Sequence, residues 1–483
     1  MKILFVVKNP DFIAPIGVMQ ISAVVKQKGH ETDLIFLSEE NVFDKIEKYK
    51  PDIVAYTCET GEHDYYSEIN KQIKSKYKDI FTIMGGPHAS FFQKILDDAE
   101  LDAICVAEGE YAFEELLEKL EEGEDISHLR NIIVRGGKLN GLRPPIQDLD
   151  SLPFPDRELI YKKNKQHYIM NFMTGRGCPY NCTYCFNHIL KKMSPKGGYL
   201  RNHSVDYVIN EILDAKKKFD FKFIKFVDDL FILKKMEWLE EFSERYRKEI
   251  GLPFYIHSRF DFMKPEIADL LKKAGCKVVQ MSIESTNSNI RKKVLNRGME
   301  EEKIISGAKY CGEKGIAVLT YTMLGLPTST INDDIDAVNF NLMLRKKYNK
   351  GILPEFPIFQ PYPKTELGDV CIKNGWFDGD MSKIVMYGTL YPSVLSCFTK
   401  KEKNIQMNIS LLGQTAVEYP FFRGLIMNYL IYLPTNRLFK KICAIGRLIN
   451  YPSKVYKRRY TLKERYSLFK KGLGMEKIRR NQK

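Results

Sequence analysis

At 483 residues and 56.2 kDa the chain is too long for one ordinary core, so roughly two to four domains are expected. Hydrophobic content of 44% beside 28% charged residues excludes a disordered polymer. The formal charge of +14 is concentrated: from Pro434 onward there are 16 Lys and Arg against two Asp and Glu, which accounts for all of it.

The N-terminus, MKILFVVKNPD, lacks the cleavage site and the longer apolar stretch of a secretory signal. No window reaches the roughly 20 uninterrupted apolar residues of a membrane span. Of ten cysteines, seven (Cys58, Cys105, Cys276, Cys311, Cys371, Cys397, Cys443) are scattered singly, unlike a secreted disulfide framework. A cytoplasmic, reducing location is expected, with membrane association through the basic tail as an addition to it.

Residues 1–125 alternate short apolar runs with amphipathic stretches. The runs are 2–7 (KILFVV), 32–36 (TDLIF), 52–57 (DIVAYT), 80–85 (IFTIMG) and 102–107 (DAICVA). Five such βα steps predict an open, doubly wound parallel sheet of the Rossmann-like kind. Ligands meet such sheets at the carboxyl ends of the strands. The loops to watch are therefore Asn9 to Gly17 with Pro15, Thr57 to His63, the run Gly85-Gly86-Pro87-His88, and Glu108-Gly109-Glu110. The first strand is not followed by GxGxxG, so a dinucleotide has little support.

Residues 126–166 read as a linker that opens on a β-like piece (NIIVRGGKL) and then turns dense in proline. From 167 to 385 the alternation resumes, with strand-like runs at 167–175, 221–229, 254–259, 277–285, 316–325 and 354–362. Six βα units predict a barrel or a partial (β/α)6 barrel, with its chemistry at the strand carboxyl ends. Residues 386–483 form a mainly helical, apolar-aromatic and then basic extension.

The most specific feature is GRGCPYNCTYCFNH at 175–188, a C-x3-C-x2-C run made by Cys178, Cys182 and Cys185 directly after the first barrel strand. Thiolates at this spacing bind zinc or iron–sulfur clusters. Structural zinc closes four ligands, usually as two separated pairs, and only three cysteines stand here, with His188 as the sole nearby fourth donor. A 4Fe–4S cluster on three thiolates keeps one iron open, which is a catalytic arrangement.

This run, with Tyr184 before the third cysteine, resembles the signature of radical S-adenosylmethionine enzymes. The resemblance implies that Cys178, Cys182 and Cys185 hold the cluster, and that its open iron chelates S-adenosylmethionine. Reductive cleavage then gives a 5′-deoxyadenosyl radical, with electrons from a donor such as flavodoxin or ferredoxin. FVDDLF places Asp228 and Asp229 where the family contacts the amino group of S-adenosylmethionine; a helix cap is the lesser reading of Asp229. Arg259 is placed to pair with the methionine carboxylate, because a guanidinium matches a carboxylate bidentately. SIES resembles the family's Gly-x-Glu-Ser, which puts Glu284 on the ribose although Ser282 replaces glycine. The turn from Gly325 through Pro327 resembles the Gly-Leu-Pro turn by the adenine, and PYPKTEL resembles Pro-Tyr-Pro-Gly-Thr-Glu-Leu with Lys364 in place of glycine.

The N-terminal domain is then similar to the cobalamin-binding domain of one branch, with Pro15, Gly17, Gly85, Gly86 and His88 in the matching loops. Asp-x-His-x-x-Gly is absent, so cobalamin without an axial protein histidine is implied. The branch commonly methylates unactivated carbons of small molecules. The basic tail adds a weak preference for a lipid acceptor and for peripheral membrane contact. A cyclase, oxidase or rearrangement without methyl transfer stays open, as does, more remotely, a zinc-stapled module binding nucleic acid through the tail.

Overall fold

A computed structural model describes residues 1–9, 15–161, 167–194, 198–384 and 391–456, without the side chains of 448–452. The tail from 457 onward lies outside the described residues.

The first sheet contains β1 (Lys2–Val7), β2 (Glu31–Phe36), β3 (Ile53–Thr57), β4 (Phe81–Gly85), β5 (Ala103–Cys105) and β6 (Ile132–Val134), in the order β2-β1-β3-β4-β5-β6. The first five strands pair in parallel. Alternate residues of one strand feed opposite cores: Ile3, Phe5 and Val7 face one layer, Leu4 and Val6 the other. That two-sided burial is why these strands read as continuous apolar runs. The β-like piece expected within 126–166 joins this sheet, since Ile132–Val134 adds antiparallel to β5.

The rest of 126–166 ties the two sheets together. Asp156 accepts from Ser22 and Lys26 of the helix Ile16–Gln27, and Gln20 donates to the Pro153 carbonyl at 2.7 Å. One residue on, Arg157 turns to the second sheet, pairing with Glu211 at 2.5 Å and lying 4.0 Å over the Phe172 ring. One apolar core runs without a break from Phe5 to Phe172.

The second sheet begins at β7 (Ile169–Phe172), after which a short antiparallel ribbon, β8 (Gly175–Arg176) with β9 (Arg201–Asn202), frames the cysteine loop. It continues through β10 (Phe223–Phe226), β11 (Phe254–Ser258), β12 (Cys276–Glu284), β13 (Ala317–Thr322) and β14 (Ile352–Glu355). These six strands follow chain order, all parallel, and no pairing joins β14 to β7 among the described residues, so the barrel is partial. β14 starts and ends earlier than 354–362, since Pro357 has no N–H for the ladder; pairing resumes only as the Leu324–Ile358 bridge.

Inward residues at the amino end of this barrel (Phe223, Tyr255, Val278, Leu319 and Leu353) pack with Val455 and Tyr456 of the C-terminal extension. The extension thus closes the barrel floor. Its helix Lys400–Glu418 packs on the barrel helix Ile331–Lys347 through a core that includes Val338, Leu342, Ile409 and Leu412. Among the described residues no helix is long and apolar enough to cross a membrane.

Candidate active site

The cysteine loop is held from two sides. Thr183 donates its N–H to the Leu295 carbonyl at 3.1 Å and its hydroxyl to Val294 at 2.6 Å, while Leu367 donates to the Thr183 carbonyl at 2.9 Å. Gly177, just before the first cysteine, has φ of +94°, and a Cβ there would meet the Tyr199 carbonyl at 2.2 Å, so only glycine fits. Cys182 is buried, and Cys178 and Cys185 are partly exposed. Burial chiefly, and then the neighbouring Asp229 and the other thiols, raise the Cys178 and Cys185 thiols, Cys185 to about 12. Such thiols become strong ligands only when a cation takes the proton's place. Among the described residues no three His, Cys, Asp or Glu groups converge on a single metal ion. A cluster asks for less, because each thiolate binds its own iron and the sulfurs ring the group; three thiols on one loop fit that donor set.

Around this loop the other expected residues are brought to the barrel mouth in different states. Tyr184 donates to Glu284 at 2.8 Å. Glu284 ends β12 at a bulge with φ of +65°, a strained backbone for a non-glycine residue. Arg259 lies flat on Tyr180, 3.7 Å from the ring centroid, and holds Asp261 through Nε and Nη2 at 3.0 and 2.8 Å. Its Nη1 is buried with no partner, an orphan donor that fits a ligand carboxylate. Gly325 donates its N–H to Asp334 at 3.0 Å, which fixes the turn carrying the buried Pro327.

The two adjacent aspartates diverge, and Asp228 departs from expectation. Its carboxylate accepts from the Thr174 N–H at 3.0 Å and from the Thr174 hydroxyl at 2.5 Å, and Lys234 lies 3.4 Å away, all of them buried. It clamps the end of β7 to the end of β10 and has no oxygen turned to a ligand. Asp229 opens onto the cleft and accepts from Asn187 at 2.8 Å. Close packing around it raises its carboxyl, with Asn187 opposing and Asp228 adding to the rise.

The first domain meets the mouth through Glu108 and Glu110. Arg201 grips Glu108 at 2.6 Å and Arg176 grips Glu110 at 2.6 Å. Burial works against the Glu108 charge, but Arg201 and Arg176 hold its carboxyl below the usual range. A cavity of about 700 Å³ lies between the domains, lined among others by Gly86, Pro87, Arg176, Asn187 and Asp229. Gly17 is exposed in the first helical turn with nothing within 4 Å of a Cβ, so a bulky group can approach its backbone, whereas a Cβ on Gly85 would touch Cys105 Cβ at 3.9 Å and the Tyr56 carbonyl at 4.0 Å. Gly86 is a different case: its Cβ would strike the Cys58 N and O at 2.9 Å, so the β3 loop alone requires it. His88 is corrected outright. It is 1% exposed, stacked on His63 at 4.3 Å, and burial, with His63 second, drops its pKa to about 3. It is a neutral packing residue. Pro15 caps the same helix as Gly17, and 10–14 fall outside the described residues.

Sequence reasoning missed Arg297. Buried at 6% exposure, it reaches the Cys182 sulfur at 4.0 Å, the Tyr184 hydroxyl at 3.3 Å, Glu284 at 3.9 Å and the Ser282 carbonyl at 2.9 Å. Burial alone would lower its pKa, but Tyr184, Glu284 and Cys182 raise it. Arg176, Arg201 and Asn187 were also missed. Only their nearness in sequence to the cysteines hinted at Arg176 and Asn187, and nothing in the sequence hinted at Arg297 or Arg201.

Comparison with known proteins agrees with this geometry. Residues 172–340 match the radical SAM superfamily and residues 4–117 the B12 binding domain. An uncharacterized methyltransferase of Pyrococcus horikoshii, PH0819, is 29% identical over 376 residues, covering 74% of this chain and 79% of that protein. The anaerobic magnesium-protoporphyrin IX monomethyl ester cyclase of Rubrivivax gelatinosus is 27% identical, covering 73% and 65%. The structure of the radical S-adenosylmethionine methyltransferase TsrM from Kitasatospora setae superposes with a TM-score of 0.67 over 98% of this chain and 99% of that one, at 15% identity, which shows a shared fold. The chain is a radical S-adenosylmethionine enzyme with a B12-binding domain ahead of its barrel. Its cofactors are a 4Fe–4S cluster, S-adenosylmethionine and cobalamin.

Proposed function

We propose that the protein methylates an unactivated carbon of a small-molecule or lipid acceptor, with Cys178, Cys182 and Cys185 as the cluster ligands. When bound, the cluster with S-adenosylmethionine supplies a 5′-deoxyadenosyl radical, and cobalamin supplies the methyl group. The observation that carries the reading is the cavity between the domains, where Gly86 and Pro87 of the B12-binding domain face Gly177, just before the first cysteine, together with Asn187 and Asp229 of the barrel mouth. Arg259 Nη1 takes the methionine carboxylate, Asp229 the ammonium group, and Glu284, steadied by Tyr184 and Arg297, the ribose. Gly325 and Pro327 form the adenine wall, while Gly17 and Pro15 give cobalamin a bare backbone to lie on. The proposed domain limits are 1–125, 126–166, 167–385 and 386–483, with β6 at Ile132–Val134 added to the first domain as the sixth strand of its sheet.

The methyltransferase PH0819 favours methyl transfer. The cyclase similarity supports a second reading, radical chemistry without it. With methyl-labelled S-adenosylmethionine, methyl transfer releases S-adenosylhomocysteine alongside 5′-deoxyadenosine; the second reading gives 5′-deoxyadenosine alone. A low-potential electron donor such as flavodoxin or ferredoxin is the proposed protein partner.

The lipid alternative draws on the extension. Phe421 is 92% exposed, and Phe422, Leu425, Tyr429, Tyr432, Leu433 and Leu438 are exposed beside it. No Asp or Glu occurs between Glu418 and Glu464, and Arg423, Arg437, Lys440 and Lys441 lie within the stretch. Aromatic and basic residues together suit an anionic lipid surface. A second copy of the same basic face would be repelled.

A further inference from the structure

Inward positions along the barrel strands alternate with outward ones. Outward Ile256, Val279, Met281 and Thr320 are buried, yet inward His257, Gln280, Ser282 and Tyr321 keep part of their surface accessible. A residue enclosed by six strands stays accessible only if there is space in front of it. Above the floor made by Phe223, Tyr255 and Tyr456, the barrel therefore has an open, polar lumen that leads up to Asp228 and Arg259.

Lys225 points into this lumen from β10. It aligns with Asn171 of β7 on one side and Tyr255 of β11 on the other, and its Nζ lies 5.2 Å from the Tyr255 ring centroid. It is 7% exposed, and no carboxylate among the described residues reaches it; the acid one might expect, Glu355, is held by Arg447 at 2.7 Å. Burial alone draws its pKa down to about 8. His257 stands next to it, with Nδ1 3.1 Å from the Asp228 carbonyl. A carbonyl only accepts, so Nδ1 carries the proton and Nε2 is left as an acceptor. Burial, then the charge of Lys225, lowers His257 to about 4, so it stays neutral beside the lysine.

A buried ammonium without an anion is costly, and proteins keep such groups where a ligand completes them. We propose that Lys225 anchors an anionic group, a carboxylate or phosphate, of the methyl acceptor inside the barrel, with His257 Nε2 accepting from a hydroxyl or N–H beside that group. This inference rests on the radical-enzyme reading only for calling the ligand the acceptor. The anion lies one turn of side chains below the S-adenosylmethionine contacts, so the acceptor enters the barrel anionic end first and leaves its reacting carbon at the mouth.

The test uses the full chain without cluster, reductant or S-adenosylmethionine. Lysine modification by an amine-selective reagent is followed by peptide mass spectrometry across pH, in chloride, in inorganic phosphate and in propionate. In chloride Lys225 should react with a midpoint near its depressed pKa, well below the other lysines. A bound anion should protect it at least tenfold and move that midpoint up, while surface lysines are unchanged. Protection by phosphate alone assigns a phosphate-bearing acceptor, and by propionate alone a carboxylate. Calorimetry with the protecting anion should show binding kept in Lys225→Arg and weakened at least tenfold in Lys225→Met. Failure of both anions to protect, or equal binding by Lys225→Met, overturns the proposal. Loss of 5′-deoxyadenosine formation in the intact enzyme with protection preserved would overturn the radical reading instead.

Discussion

The Tyr184 hydroxyl lies 2.8 Å from Glu284 Oε1, a hydrogen bond that joins the cysteine loop to the end of the fourth barrel strand across 100 residues of chain. Arg297 braces both partners, at 3.3 Å from Tyr184 and 3.9 Å from Glu284. A buried hydrogen bond to a charged group contributes about 1.5–3 kcal/mol. Tyr184→Phe should therefore raise the S-adenosylmethionine dissociation constant roughly tenfold with cluster content unchanged, as read by iron analysis and equilibrium dialysis.

Arg259 carries at its Nη1 an orphaned donor that suits a carboxylate. Arg259→Lys cannot hold Asp261 bidentately and also reach a ligand. It should weaken S-adenosylmethionine roughly 10–100-fold, by the loss of a charge-assisted pair. An unchanged affinity would remove Arg259 from the binding site.

Asp334 is buried against the Gly325 turn, and burial first of all raises its carboxyl to about 7, with Gly325 and Gln406 opposing. A raised carboxyl is fully compatible with folding below its unfolded pKa, and the stability it allows is lost as pH climbs through the folded value. Asp334→Asn keeps an acceptor for the Gly325 N–H and removes the titration. Thermal melts should show the variant's advantage over the parent growing as pH rises from about 4 to about 7 and levelling off above that, at several degrees by pH 8.

Lys364 occupies the left-handed region with φ of +68°, at the position where the resembled segment has glycine. A non-glycine residue there costs about 1 kcal/mol. Lys364→Gly should be tolerated and gain up to about that much in urea unfolding, offset in part by the greater freedom of glycine in the unfolded chain.

The exposed face at 419–438 should bind membranes peripherally. Co-sedimentation with vesicles of phosphatidylcholine containing phosphatidylglycerol should retain the protein, and pure phosphatidylcholine should not. Phe421→Asp with Tyr429→Asp should abolish retention, and 0.5 M salt should weaken it, since about a Debye length of 4–5 Å screens the basic residues. Retention that is indifferent to both changes would leave the face without a lipid role.

Period and spacing made much of this molecule legible. Strands buried on both faces announce themselves as apolar runs, which is why β1 to β5 fell within a residue or two of expectation, and the cysteine run marked the mouth by its position after a strand. The edge strand Ile132–Val134 was legible as a β-like run, but nothing within it announced that it would pair back onto β5. Asp228 and Asp229 look equivalent in sequence, yet one is clamped by Thr174 and Lys234 and the other is open, a distinction made only by long-range contacts. Arg297 and Lys225 were silent for the same reason: a single cation in a chain with 75 Lys and Arg carries no signal until the fold buries it.

The central claim is that Cys178, Cys182 and Cys185 hold a cluster that cleaves S-adenosylmethionine. Its most direct test is anaerobic reconstitution with iron, sulfide and cobalamin, addition of S-adenosylmethionine and a low-potential reductant, and quantitation of 5′-deoxyadenosine beside a Cys182→Ala control. The account predicts 5′-deoxyadenosine from the parent and none from the variant. Equal amounts from both, or a parent that carries a full cluster and forms none, would contradict it.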